Sequence, residues 1–440
     1  MTIKGIEKNL FYLILLFLPT QLGRHFWPSF SFVQGIRIDY LSPTIYLTDV
    51  LIFLLLVILV VSVFRNPKKL NLKHKILNIK YLLLILFLLA GVIFSKNPPV
   101  GIYGLIKLLE FIFLGLYFAK NISFDKKKIG IIASIFALGI IFESSVAILQ
   151  FIRQSSSGGL LYYFGERFFD GQTPGIANVS LSGHLILRPY GTLPHPNVLA
   201  GYLTITMIIV ISNLKSQISN LKKTLYLCSI LIGTVALLLT MSRVAILLWI
   251  LILFIRMLQA VYKKNKFTIY YLLLTILIIG TIVVVSPLRL RFTDIKITDE
   301  SITDRQALVN ASVKMIEKKP IFGFGINNYL VELPYFIKST NRTFVLQPVH
   351  NIYLLIASEV GVIGFMFFLW FIKITYQRIM RQKFSIFNFL ASLKVWRSGQ
   401  FSILTMVLII GFFDHYFLTV QQGQLLIAFV FGYCWVNKNY

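Results

Sequence analysis

The sequence predicts an all-α integral membrane protein of about twelve transmembrane helices, and three observations predict it. Of 440 residues, 57% are hydrophobic and 13% charged, where a soluble domain carries about 45–50% apolar and about 25% charged residues. The apolar residues fall into runs near the ~20 residues needed to cross a bilayer. The 43 Lys and Arg, set against 16 Asp and Glu for a net charge of +27, concentrate between those runs on alternate sides. This composition excludes a soluble enzyme, a disordered chain and a secreted disulfide scaffold. Cys228 and Cys434 both lie inside apolar runs, so neither a disulfide framework nor a thiolate zinc site is expected.

The expected spans are 9–26, 44–64, 80–95, 100–119, 129–152, 195–213, 223–240, 243–258, 267–286, 351–375, 399–417 and 421–437. The first follows Lys4 and Lys8 as a signal peptide would. No small-residue cleavage site comes after it, so it reads as an uncleaved span. With both termini cytoplasmic, 26 Lys and Arg fall in short segments on the cytoplasmic side and 7 on the other, leaving aside the long stretch 287–350 and Lys107 within a span. Orientation follows Lys and Arg in short loops. An N-in, C-in topology therefore explains the excess charge without a nucleic-acid partner.

The chain reads as one polytopic membrane domain, 1–440, with two long outer segments. Segment 153–194 is polar and glycine-rich. Segment 287–350, between the ninth and tenth spans, holds a helix at about 303–319. Thr303-Asp-Arg-Gln306 fits a capping box, Leu308, Val309, Val313 and Ile316 share one face, and Pro320 and Gly323 end it. Long segments in a compact architecture are usually functional.

Candidate chemistry gathers on this outer side. His350 opens the tenth span, where an imidazole can face a substrate at headgroup level. Arg188 precedes the sixth span, Arg243 sits in the tight turn Thr240-Met-Ser-Arg243, and Arg305 lies on the capped helix. An arginine there can snorkel to lipid phosphate. Alternatively, the forked guanidiniums of Arg188 and Arg243 can grip a diphosphate. Glu359, the ninth residue of its span, lies about 13 Å along it and is either functional or paired within the bundle. Lys107 and Glu110 are spaced to pair on one helix face. Asp414 and His415 lie near the outer end of the eleventh span. Asp294, Asp299, Glu300 and Asp304 read as a solvated acidic face rather than a cation site, so no metal site is expected.

From Arg188 onward, the order of motifs resembles the O-antigen ligase and polymerase superfamily of bacterial membrane glycosyltransferases. The pieces are Arg188-Pro-Tyr-Gly-Thr-Leu-Pro-His-Pro-Asn197 running into Gly201-Tyr-Leu; Thr240-Met-Ser-Arg243; Arg305 with Pro320-Ile-Phe-Gly-Phe-Gly325-Ile-Asn-Asn-Tyr329; His350-Asn-Ile-Tyr-Leu with Glu359-Val-Gly-Val-Ile-Gly364; and Asp414-His415 with Gln421-Gln-Gly-Gln424. Each is weak alone, and the order carries the signal. Residues 1–187 match only in the number and character of their spans.

The resemblance implies about twelve helices with a large outer loop between the ninth and tenth. It implies transfer of a glycan from a polyprenyl-diphosphate carrier to a glycan or glycolipid acceptor hydroxyl, on the extracytoplasmic face of the bacterial cytoplasmic membrane, without a metal or other cofactor. Arg188 and Arg243 would bind the diphosphate and His350 would activate the acceptor. Arg305, His195, Asn197, Asn351, Glu359, Asp414 and His415 would support the site or its acceptor side. The chemistry agrees with these residues. Fixed cations stabilise a diphosphate leaving group, and an imidazole of pKa ~6.5 suits a general base near neutral pH. Attack opposite the leaving group would invert the anomeric centre. The residues do not choose between ligation and polymerisation. A proton- or anion-coupled multi-span transporter is the competing expectation, although 1–187 holds no internal repeat of the motif-bearing half.

Overall fold

The structure is a computed structural model describing residues 3–65, 79–122, 126–181, 184–214, 218–262, 264, 267–293, 300–337, 346–380 and 399–436. In chain order, its helices are α1 (Ile3–Leu16), α2 (Leu47–Arg65), α3 (Ile79–Ile93), α4 (Pro98–Asn121), α5 (Lys126–Arg153), α6 (Pro196–Asn213), α7 (Asn220–Leu239), α8 (Arg243–Tyr262), α9 (Phe267–Val284), α10 (Ser286–Thr293), α11 (Glu300–Lys318), α12 (Tyr329–Glu332), α13 (Ile352–Met380), α14 (Gly399–Gly411), α15 (Tyr416–Thr419) and α16 (Gln421–Trp435). Among the described residues, β-structure is three two-stranded pairs, β1 (Gly23–His25) with β4 (Thr44–Tyr46), β2 (Phe32–Val33) with β3 (Ile36–Arg37), and β5 (Asn178–Leu181) with β6 (His184–Leu187), and one isolated bridge between Ser155 and Asp170.

Eight described helices are long and apolar enough to cross a membrane: α2, α4, α5, α6, α7, α8, α9 and α13. This is the build of an integral membrane protein. Each of the other four expected spans overlaps a helix that is shorter. α1 ends at Leu16, three residues before Pro19, and residues 23–25 of the expected span 9–26 are strand. A proline ring cannot continue the hydrogen-bond ladder, which stops the helix there. The expected span 399–417 divides likewise. α14 ends at Gly411, and Asp414 and His415 form the break before α15. Much of the Lys and Arg that favoured the N-in, C-in topology, including Lys68, Lys69, Lys73, Lys75, Lys383, Lys394 and Arg397, lies outside the described residues, as do Asp294 and Asp299.

α6 is the central element. Fifteen of its residues, Pro196 through Ile211 less only Asn197, are buried, as a helix apolar all round must be. It packs against α5, α7, α8, α14 and α16. At the α4–α16 crossing, a Cβ on Gly432 would stand 2.8 Å from the Gly115 carbonyl oxygen, so only glycine lets the backbones meet so closely. The Lys107 ammonium is buried nearby, 3.2 Å from Glu110 as the spacing predicts and 2.5 Å from Asp49 of α2, whose other carboxylate oxygen takes a bond from Gln421. The lysine is thus paired within the bundle, while Glu110 Oε1 is buried without a hydrogen-bond partner.

α13 is not one continuous rod. Gly361 has φ 66° and ψ −175°, a conformation essentially restricted to glycine, and it splits the helix. Segment 320–325 docks on the freed backbone. Phe324 and Gly325 donate to the Ser358 and Glu359 carbonyls at 3.0 and 2.7 Å, and Val362 donates to the Pro320 carbonyl at 2.7 Å. The part after the break, about 28 Å long at 1.5 Å per residue, is sufficient by itself to cross a bilayer. Glu359 therefore sits at a helix break, not partway down an unbroken span.

Candidate active site

The site is assembled at one end of the bundle, where the loop before α6, the α7–α8 turn, α10, α11, the start of α13 and the α14–α15 break converge. The first part is segment 188–197. Two buried side chains of α5 clamp it. Gln150 accepts from the backbone N–H of Tyr190 and Gly191, both at 2.9 Å, and donates to the Gly191 carbonyl at 2.9 Å. The Glu143 carboxylate accepts from the Thr192 backbone at 2.8 Å and its hydroxyl at 2.7 Å. Gly191 turns with φ 62°, and a Cβ there would overlap the Glu143 carboxylate. Each loop donor thus has a fixed partner, as burial requires.

That clamp holds Arg188, which is 6% exposed. Its Nε donates to the Thr240 carbonyl at 2.7 Å and its Nη2 to Asn197 Oδ1 at 2.7 Å. Burial, with Arg291 and Arg305 nearby, pushes its pKa down to about 9, so it is still a cation at neutral pH. Arg243 begins α8, and its Nε donates to the Arg291 carbonyl at 2.6 Å. Arg188 is thus tied to the turn that carries Arg243, and Arg243 is tied to α10. Arg305, exposed on α11, lies close enough to depress the pKa of both Arg188 and His415. The predicted arginines gather, and Arg291 joins them.

Opposite stands one carboxylate. Asp414 Oδ2 accepts from Asn197 Nδ2 at 2.9 Å, so Asn197 bridges Arg188 and Asp414. Asp414 Oδ1 accepts from the His415 backbone at 2.8 Å and faces His350 Nδ1 at 3.6 Å. That separation is an ion-pair distance rather than a hydrogen bond. Burial alone would raise the Asp414 carboxyl, but His350, His415 and His195 together hold it below the usual carboxylate range.

The remaining predicted residues have separate placements. The His415 ring packs 5.0 Å from that of His350, and its Nδ1 meets Thr419 Oγ1 at 2.7 Å. Burial, with His350 nearby, pushes its pKa down to about 3. His195 caps α6, its Nδ1 accepting from the Asn197 backbone at 3.1 Å, and burial with Arg188 nearby pushes it to about 3. Asn351 caps α13 by accepting from Tyr353 and Leu354, and its Nδ2 donates to the Phe412 carbonyl at 3.2 Å. It thereby joins the His350 and Asp414 segments. Glu359 is placed apart, accepting from the Tyr329 backbone at 3.4 Å where segment 320–328 docks.

Besides the clamping residues Gln150 and Glu143, two contributors were not singled out by the sequence. Arg291 sat in a long segment with no local signal beyond its charge. Tyr40 comes from residues 1–187, and its ring meets His415 edge-on at 5.6 Å. Among the described residues, His350, Asp414 and His415 are the one group with three metal-ligand atoms, all within 4.8 Å of one another. The neighbouring Arg188 and Arg305 charges oppose a divalent cation there, whereas a polyanion would relieve them.

Residues 228–369 match the family model described as O-antigen ligase. No curated protein matches the chain. The matched stretch contains Arg243, Arg291, Arg305 and His350, while Arg188, Asn197, Asp414 and His415 reach the same place from outside it. Motif order and family match agree, and over residues 228–369 the chain is similar to the O-antigen ligase family.

Proposed function

We propose that this protein is a membrane glycosyltransferase that moves a glycan from a polyprenyl-diphosphate carrier to an acceptor hydroxyl at the extracytoplasmic face of the cytoplasmic membrane. The carrying observation is the charge arrangement. Arg188, Arg291 and Arg305 lie close together with Asp414 as the carboxylate facing them, and His350 stands 3.6 Å from that carboxylate. Like charges held together in a partly dehydrated place favour a multivalent anion, and a diphosphate supplies one.

In this reading, Arg243, Arg291, Arg305 and the remaining donors of Arg188 hold the diphosphate. As the bond from the anomeric carbon to the diphosphate oxygen breaks, they stabilise the negative charge left on it. His350 Nδ1 faces Asp414, which leaves Nε2 for the acceptor. It takes the hydroxyl proton as the oxygen attacks the anomeric carbon from the opposite side, inverting the centre. The resulting imidazolium is held by the Asp414 carboxylate, the logic of any carboxylate–histidine pair. No step needs a divalent cation, because fixed guanidiniums occupy its role. The lipid tail remains in the bilayer while the diphosphate lies at the helix ends.

The test supplies purified protein in liposomes with a lipid-diphosphate glycan, candidate acceptors and EDTA. The expected result is release of free polyprenyl diphosphate together with an extended or ligated glycan. Solute flux without a glycan product would instead establish a carrier, and abolition by EDTA would refute the metal-free step.

A further inference from the structure

The turn that follows α5 has its polar backbone turned inward and its apolar side chains turned outward. Glu166, 3% exposed, accepts from the Ser157 and Gly158 backbone at 2.7 Å each and from Gln150 Nε2 at 2.8 Å. Thr20 Oγ1, just beyond α1, donates to the Phe164 carbonyl at 2.6 Å. Gly165, at φ 102°, lies so near Thr20 that a Cβ would overlap its hydroxyl. Outward stand Leu160, Tyr163 and Phe168, 78%, 69% and 68% exposed, and with them Arg167, exposed and turned back so that its Nη2 donates to the Pro194 carbonyl at 2.8 Å.

This turn does not extend away from the bundle. The Phe164 ring packs 5.5 Å from that of Phe142, eleven residues before the end of α5 and so about 16 Å back along it at 1.5 Å per residue. Helical side chains lean toward the N-terminus, which takes the contact further back still. Over the same length, α5 presents Leu149 and Ile152 as exposed apolar side chains, with Leu138 one turn further back, so its lipid-facing flank runs alongside.

From this geometry we infer that residues 159–168 form a re-entrant wedge set into the leaflet on the side of the candidate site, with lipid as its occupant. Three observations converge: the fold-back along a spanning helix, continuity with that helix's apolar flank, and hydrogen bonds within the fold for the Leu161, Gly165 and Glu166 N–H groups and the Phe164 carbonyl. Irregular backbone is tolerated at membrane depth only when such groups are satisfied, and tyrosines suit the headgroup boundary. Gln150 bonds both this wedge, through Glu166, and the site loop, through Gly191. The wedge therefore sets the depth of the Arg188 loop relative to the bilayer surface. The inference stands whatever reaction the site performs.

The test places a nitroxide at Leu160→Cys and, separately, at Tyr163→Cys in the full chain bearing Cys228→Ser and Cys434→Ala, reconstituted in liposomes. Reference labels go on Ile276, an exposed apolar residue of the spanning helix α9, and on the exposed loop residue Gln172. Expected at both positions are high collision rates with oxygen and loss of collisions with a water-soluble nickel chelate, toward the Ile276 pattern. Nickel collisions at the Gln172 level would overturn the inference and leave an aqueous aromatic platform, as for a sugar. Spin–spin broadening that disappears on dilution with unlabelled protein would overturn it in favour of a second copy of the chain.

Discussion

Asp414→Asn removes one charge and little volume, so its effect isolates the electrostatics of the carboxylate–histidine pair. In the native protein, Asp414 Oδ1 lies 3.6 Å from His350 Nδ1. At an effective dielectric near 20, a carboxylate stabilises an imidazolium at that distance by about 4.6 kcal/mol. If the imidazolium forms as the acceptor proton leaves, losing that term slows transfer by about 10³-fold. Donor affinity should change little, because the diphosphate is assigned to the arginines. The amide can still accept from Asn197 but cannot satisfy both His350 and the His415 backbone, so about 1–2 kcal/mol of stability is lost as well. The assay is single-turnover transfer in liposomes at saturating donor, with a thermal-unfolding scan of the same preparation to separate misfolding from chemistry. Transfer within threefold of wild type, in a folded variant, would refute the proposed pairing of Asp414 with His350 as the base.

Acid should unfold the site through its buried imidazoles. His195 and His415 have folded pKa values near 3 against about 6.5 unfolded. The folded state therefore binds fewer protons than the unfolded one between those values. Stability is complete above pH ~6.5 and falls below it, by about 2 kcal/mol per imidazole at pH 5. Thermal unfolding at pH 7.5 and 5 measures this, and His415→Asn should reduce the slope by half; an unchanged slope would contradict the assignment. Gly361→Ala forces a side chain into positive φ against the Ile321 carbonyl, so a loss of about 2 kcal/mol or more is expected, read as a lowered Tm. Gln150→Leu strands the Tyr190 and Gly191 N–H groups, with an expected loss of about 3 kcal/mol. It should raise KM for the donor more than it lowers kcat, because the loop holding Arg188 loosens.

The legible parts of the fold were those written in local pattern. Apolar runs placed a helix at each expected span, since lipid imposes one length and one polarity on every crossing. Their ends were less legible. Leu16 and Gly411 end helices inside runs that remain apolar, where Pro19 and the Asp414-His415 break outweigh hydropathy. The split at Gly361 was hidden for a different reason. It exists because segment 320–325 supplies hydrogen bonds from more than thirty residues away, and no local window contains both partners.

The site divides the same way. Arg188, Arg243, His350 and Asp414 drew notice because an ionisable side chain beside a membrane is costly, whereas Asn197 was visible only through the order of the motifs. Arg291 looked like any other cation of a long segment until α10 brought its carbonyl to Arg243. Tyr40 was invisible from sequence because an outer tyrosine carries no charge signal and its partner lies 375 positions away. Gln150 and Glu143 fell in an apolar run and drew no notice. Their role is to hold a loop rather than a substrate, and such roles appear only when the hydrogen bonds are traced.

The most direct measurement is single-turnover glycan transfer by His350→Ala beside wild type, with bound donor quantified separately and the product's anomeric configuration read by NMR. The account predicts near-native donor binding, transfer slowed by about 10²–10⁴-fold, and an inverted anomeric centre in the wild-type product. A His350→Ala protein that transfers at the wild-type rate, or a product with retained configuration, would contradict it.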